Sequence, residues 1–280
     1  MTTLTMAIPA GDAGTPAERA LRAGDPQQAL KLLQEQIRAK PADAKLRVFL
    51  FQLLSVLGQW DRALNQLNVA GELDPSTLTM VQTYRETIQC ERLREQVFAG
   101  QKVPLLFGEP EPWVALLIEA LLRDGRGEAE DAQRLRDQAF EQAPATQGEA
   151  ETSAGAQPFT WVADADMRLG PVLEAIINGR YYWVPMNRLA ELRVEAPTDL
   201  RDRVWTAASL HFSNGGEAVA FIPTRYAGTG LQDGALALAR RTDWAEPRPG
   251  FHVGSGQRMF ATDTDEIALM DLRRLSMQAA

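Results

Sequence analysis

Cysteine and histidine are almost missing from this 280-residue chain, and their scarcity excludes much of the chemistry a protein of this size could carry. The single cysteine, Cys90, can close no intramolecular disulfide and can build no thiolate metal site, which fits a reducing compartment. The two histidines, His211 and His252, lack the His-x-x-x-His spacing that sets two ring nitrogens on one metal ion, so no metal or other cofactor is expected. Lysine is thin as well. Lys31, Lys40, Lys45 and Lys102 all lie in the first half, which removes lysine chemistry from the second. There is no Gly-x-Ser-x-Gly elbow and no glycine-rich phosphate loop ending in Gly-Lys-Ser/Thr. Gly254-Ser255-Gly256 opens like a dinucleotide fingerprint but lacks the third glycine and a following long helix, so it reads as a turn. Basic residues are in deficit too: 29 Lys and Arg against 37 Asp and Glu give a net charge of −8 and a pI near 5.0, which argues against a grip on nucleic-acid phosphates. Long apolar runs are also absent. Val48 to Leu57 and Trp113 to Leu122 are broken by Gln52 and Glu119 and fall short of the roughly 20 residues a membrane span needs. Met1 to Thr15 has neither the basic start nor the apolar run of a secretory signal, so residues 1–15 read as a disordered tail of a cytoplasmic protein with no membrane partner.

What is present divides by texture. With 45% apolar and 24% charged residues the chain matches an ordinary globular protein, and its length suggests two domains. Apolar residues recur at helical spacing over residues 16–143. From Phe159 onward they alternate or run in short blocks between turn residues, which makes 158–280 a β-rich domain. Between the two, 144–157 is rich in Ala, Gly, Thr, Glu and Pro without periodicity and reads as a linker.

The helical half repeats itself. Gly24, Ala29, Leu33 and Pro41 return 34 residues later as Gly58, Ala63, Leu67 and Pro75, the length of a tetratricopeptide (TPR) unit. A third copy carries Gly127, Ala132, Ala139 and Pro144. Glycine frees the turn between two helices, the small alanines let helices approach closely, and proline stops the second helix. Such a stack presents a groove suited to a peptide or a helix, and in the second copy the groove-facing positions are Lys45, Val48, Gln52, Ser55 and Val56. The same positions also fit a partly buried helix face.

In the β half, Val172 to Ile177 and Arg180 to Val184 flank Asn178-Gly179, the strongest short hairpin signal. Val204 to Phe212 and Ala218 to Pro223 form a second hairpin, followed by strands over Ala235 to Arg240, Arg258 to Ala261 and Ile267 to Leu272. So many short strands imply a small antiparallel barrel or sandwich, and the fold class is α+β in two domains. The tryptophans read as core or interdomain anchors. Asp164 and Asp166 begin like a calcium loop, but Leu169 and Ala175 stand where that loop needs glycine and glutamate, so loop capping is the stronger reading.

Six segments taken in order resemble one family. They are Pro41 to Leu54; Leu57-Gly58-Gln59-Trp60-Asp61-Arg62-Ala63-Leu64; Phe107 to Trp113; Trp161 to Asp166 with Arg168-Leu169-Gly170-Pro171; Asn178 to Pro185; and Ile222 to Tyr226. Together they resemble the ImpE family, also called TagJ, over about Pro26 to Leu272. The resemblance implies a non-enzymatic accessory protein, or adaptor, of bacterial type VI secretion that binds the N-terminal helix of the small sheath subunit TssB. It also implies a link to sheath recycling by the ATPase ClpV. The family segments mark Trp113, Trp161, Asp164, Asp166, Arg168, Arg180, Tyr181, Tyr182 and Trp183 as candidates for the interdomain joint. A second hypothesis, from the residues alone, is an enzyme or small-ligand protein with its site at that joint around Asp164 and Asp166. The two part on whether those carboxylates converge with a base or cation in a closed pocket, or cap and tie the joint.

Overall fold

A computed structural model describes residues 14–278. The expected tail lies outside the described residues, apart from Gly14 and Thr15. Thr15 caps α1 (Pro16–Arg22) in a capping box with Glu18. α2 (Pro26–Ala39) and α3 (Ala44–Val56) begin on Asp25 and Asp43, whose carboxylates take up the first free backbone N–H groups. α4 (Trp60–Leu73), α5 (Leu78–Phe98), α6 (Pro112–Gly125) and α7 (Ala129–Gln142) complete the helical half.

The repeat is physical. Gly24, Gly58 and Gly127 all take left-handed backbone angles, at φ of +86°, +64° and +78°, at equivalent turns of the α1–α2, α3–α4 and α6–α7 hairpins. Ala29, Ala63 and Ala132, with Leu33 and Leu67, are fully buried where those helices meet. α5 departs from the repeat and runs 21 residues alongside the sheet.

The strands are β1 (Leu105–Leu106), β2 (Gly148–Thr152), β3 (Gly155–Phe159), β4 (Val162–Asp164), β5 (Val172–Ile177), β6 (Arg180–Pro185), β7 (Leu189–Val194), β8 (Trp205–Phe212), β9 (Glu217–Pro223), β10 (Thr242–Arg248), β11 (Phe251–Gly256), β12 (Met259–Thr262), β13 (Glu266–Ala268) and β14 (Leu272–Met277). Nine of them form one sheet in the order β1-β6-β5-β9-β8-β7-β14-β2-β3, antiparallel except for the β1–β6 pair. β10 and β11 form a separate ribbon, and β13-β12-β4 a small three-stranded sheet. Both expected hairpins are present: Val172 pairs with Pro185 across the Asn178-Gly179 turn, and Trp205 pairs with Pro223.

Four expectations require correction. The nine-stranded sheet is not closed: β1 and β3 are its two edges. It is curled, because Phe107, just after β1, stacks on Phe212 of β8 with ring centroids 4.1 Å apart, although four strand spacings of about 4.8 Å separate these strands in a flat sheet. Second, the segment 144–157 is not a linker. Most of it is the β2–β3 hairpin, which joins the sheet through β14, from Leu272 opposite Thr152 to Met277 opposite Gly148. β3 is an edge strand whose first four residues are exposed, so backbone pairing orders it without any alternation of apolar side chains. Third, Ala235 to Arg240 is not a strand. Asp233 caps a short helix, α8 (Gly234–Ala237), and the chain turns away from it at Ala239 with φ +50°. Fourth, the groove of α3 is closed by the chain itself. Val48, Gln52, Ser55 and Val56 are buried and only Lys45 is exposed. Gln52 donates to Asp199 at 3.4 Å, and Arg225 donates to the carbonyls of Val56 and Ser55 at 2.5 and 3.2 Å.

One apolar cluster therefore joins the halves, with Leu53, Tyr84, Ile88 and Trp113 of the helices packed with Ile176, Tyr181, Trp183 and Trp205 of the sheet. The sheet's other side carries a second cluster, in which Leu173, Ala175, Leu192 and Leu210 pack with Phe260 and Ile267 of the small sheet. Covered on both faces, β5 is buried along its whole length, as its near-continuous apolar sequence requires.

Candidate functional site

β5 carries one exception to its apolar run, Glu174, and a buried ion network forms around it. Arg94 of α5 donates to both Glu174 oxygens, Nε to Oε1 at 2.6 Å and Nη2 to Oε2 at 3.0 Å. Arg258, entering β12, donates to Glu174 and to Asp164 of β4, and its Nε reaches the Pro223 carbonyl at 2.9 Å. The Tyr181 hydroxyl donates to Glu174 Oε1 at 2.5 Å and accepts from Trp183 Nε1 at 2.8 Å. On the helical side Arg94 also reaches Glu91 (3.3 Å) and the Arg225 carbonyl (2.7 Å), and Glu91 accepts Trp205 Nε1 at 2.9 Å.

Asp164 and Asp166 divide the work at the β4 turn. Asp164 Oδ1 accepts the Asp166 N–H at 2.9 Å, an Asx turn. Asp166 holds Arg168 through both carboxylate oxygens and accepts the Gly254 N–H at 2.9 Å, which ties the β10–β11 ribbon to the turn. The Arg168 guanidinium lies over the Phe98 ring at the end of α5, 4.8 Å from its centroid.

These groups titrate far from their ordinary ranges. Burial pulls Glu174 up, but Arg94 and Arg258 outweigh it and hold the carboxyl down at about 2. Burial pushes Asp164 up to about 7 against the opposing pull of Arg258. Tyr181 is driven well above its usual value, first by burial and then by the Glu174 charge. Arg225, buried among backbone carbonyls, is lowered to about 10 by desolvation. Each carboxylate is spent on a guanidinium or a backbone N–H, an arrangement that ties a joint.

The sequence candidates therefore separate. Asp164, Asp166, Arg168, Tyr181 and Trp183 come together in or beside the network. Tyr182 faces the other side of the sheet, with its ring edge-on to Phe107, and Arg180 is exposed at the start of β6. Trp113 is buried at the start of α6, where Nε1 donates to Glu111 at 2.7 Å; Glu111 also accepts Arg188 and Asn187. Trp161, 39% exposed, stands at a cavity between α7 and β4. Cys90 donates to the Gly179 carbonyl at 3.2 Å, and burial pushes its thiol up to about 12, so it packs as a thiol rather than a thiolate. His211 lies between Glu191 and Glu217 on the strand surface. The sequence reading missed Glu91, Arg94, Glu174, Arg225 and Arg258; the available signal was a lone carboxylate inside the apolar run Val172 to Ile177. Among the described residues no three His, Cys, Asp or Glu side chains are placed to hold a metal ion, and no helix is long and apolar enough to cross a membrane.

Tandem helix hairpins laid on a curled sheet and locked to it by buried charges define a TPR-type repeat protein with a β-rich C-terminal half. The chain belongs to the ImpE family of type VI secretion accessory components. The ImpE protein family matches residues 156–276 and the tetratricopeptide repeat family residues 20–83. The type VI secretion system accessory component TagJ of Pseudomonas aeruginosa is 55% identical over 263 residues, 94% of this chain and 91% of that protein. The crystal structure of protein VPA1032 from Vibrio parahaemolyticus superposes with a TM-score of 0.85 at 27% identity, covering 94% of this chain and 98% of that one.

Proposed function

We propose that this chain is a non-enzymatic adaptor of a type VI secretion system, binding the N-terminal helix of the sheath subunit TssB in the cytoplasm and contributing to sheath recycling by ClpV. The observation that carries this reading is the 55% identity to a type VI accessory component across 94% of the chain, including both the helical repeats and the β-rich half. Tandem helix hairpins are surfaces that hold peptides and helices, which agrees with a protein partner. Because the inner face of α3 is occupied by Asp199 and Arg225, the partner helix engages another face of the molecule. The chain as a whole is acidic, with a net charge of −8, which favours a partner helix with Lys or Arg.

The test is calorimetric titration of the full chain with a synthetic peptide of the TssB N-terminal helix. Saturable binding at tens of micromolar or tighter is expected, weakening as salt rises. A peptide that does not bind, while intact sheath subunits assemble normally with one another, overturns the proposal.

A further inference from the structure

The segment that feeds Asp164 and Asp166 into the ion network turns its other side to a cavity. A space of about 440 Å³ lies between the end of α7 and the β4 turn, walled by Phe140, Thr146, Trp161, Ala163, Met167 and Pro171. That volume falls in the range that encloses small organic ligands. Its floor is built: Phe140 packs directly on Gly170, whose φ of +55° and lack of a side chain make room for the ring, since a Cβ there would lie 2.4 Å from Phe140 Cε1. Its outer wall is the 39%-exposed indole of Trp161.

The chemistry of the walls restricts the occupant. No lysine or arginine lines the cavity, which disfavours phosphates and carboxylates. Its one carboxylate, Asp164, is committed to Arg258 and the Asp166 N–H and so has little to offer a cation. Two aromatic rings supply flat apolar contact. Thr146 is the exception: it lines the cavity, is only 6% exposed, and its hydroxyl has no hydrogen-bond partner. A buried hydroxyl without a partner is costly, and a ligand oxygen reached by rotation of its side chain would remove that cost.

We propose that this cavity binds a small uncharged molecule with an aromatic or alicyclic body and one hydrogen-bond acceptor, such as a ketone, held between Trp161 and Phe140 with the acceptor on Thr146.

The neutral fluorescent ketone 6-propionyl-2-dimethylaminonaphthalene is a suitable probe for the full chain. Wild type is expected to bind it with a Kd in the tens of micromolar and a blue-shifted emission. Thr146→Val keeps the shape and removes the hydroxyl, so the Kd should rise about fivefold while thermal stability holds or increases. Ala163→Phe fills the cavity, so its Kd should rise at least about twentyfold. Should Ala163→Phe fail to fold, the opposite signs expected for Thr146→Val still decide. Absence of binding below about 1 mM, or equal affinity in wild type and Thr146→Val, overturns the proposal.

Discussion

Glu174 carries more of the joint than any other side chain, because two guanidiniums and a phenol converge on a carboxylate with no exposure to water. Glu174→Gln leaves Arg94 and Arg258 undercompensated inside the protein and should cost about 3–5 kcal/mol, measurable as a lowered urea midpoint. Asp164→Asn should cost less, roughly 1–2 kcal/mol, since burial already pushes that carboxyl toward its neutral form. Acid should act through Glu174. Its carboxyl is held at about 2 in the folded state against an ordinary 4.5, so the unfolded chain binds the proton first. The stability it contributes is therefore complete above about pH 4.5 and is lost as pH falls toward 2. Denaturant titrations at pH 6, 4 and 3 should show wild type losing stability across that range and Glu174→Gln losing less.

At the scale of the element, α3 is the test of how a repeat helix is used. Val48→Glu or Gln52→Glu places a carboxylate in a fully buried face, the latter beside Asp199, so either should lower the thermal midpoint by many degrees. A well-folded variant with unchanged midpoint would contradict the closed groove. The sequence made the helix hairpins legible because glycine, alanine and leucine recur at a fixed period and each residue type answers to a local need: a left-handed turn at Gly58, close approach at Ala63. The Asn178-Gly179 hairpin was legible for the same reason, since positive φ is a local demand. β2 and β3 were not, because what orders Gly148 to Thr152 is a ladder to β14 more than a hundred residues away, and β3, paired to β2 at the sheet's edge, carries no alternation to read. The α8 segment misled in a different way: Ala235-Leu236-Ala237-Leu238 alternates in size, and only the Asp233 cap tips it to helix. At the site, Asp164 and Asp166 could be found from their spacing, but their partners Arg258 and Gly254 come from the other end of the β-rich half.

The whole molecule behaves as one unit in this arrangement. β1 belongs to the helical half by sequence yet pairs with β6, and the apolar cluster under α5 runs without a break into Trp183 and Trp205. A fragment ending at residue 143 would bare that surface, so it should bind the dye ANS and unfold without a sharp transition, whereas the full chain should melt in a single cooperative step. Two separate calorimetric transitions in the full chain would overturn this view. Loss of peptide binding in such a fragment would then speak about folding rather than about the position of the partner site.

Arg240 donates to the carbonyls of Leu21 and Arg22 from 219 and 218 residues further along the chain, and Arg225 seals Ser55 from 170 residues away. During synthesis the repeat hairpins leave the ribosome long before the residues that close them. At ordinary elongation rates the inner face of α3 waits about 10–30 s for Arg225 to emerge. Through that interval the nascent chain presents Val48, Phe51 and Val56 to solvent, so the yield of folded protein should depend on chaperones that shelter apolar helices during translation.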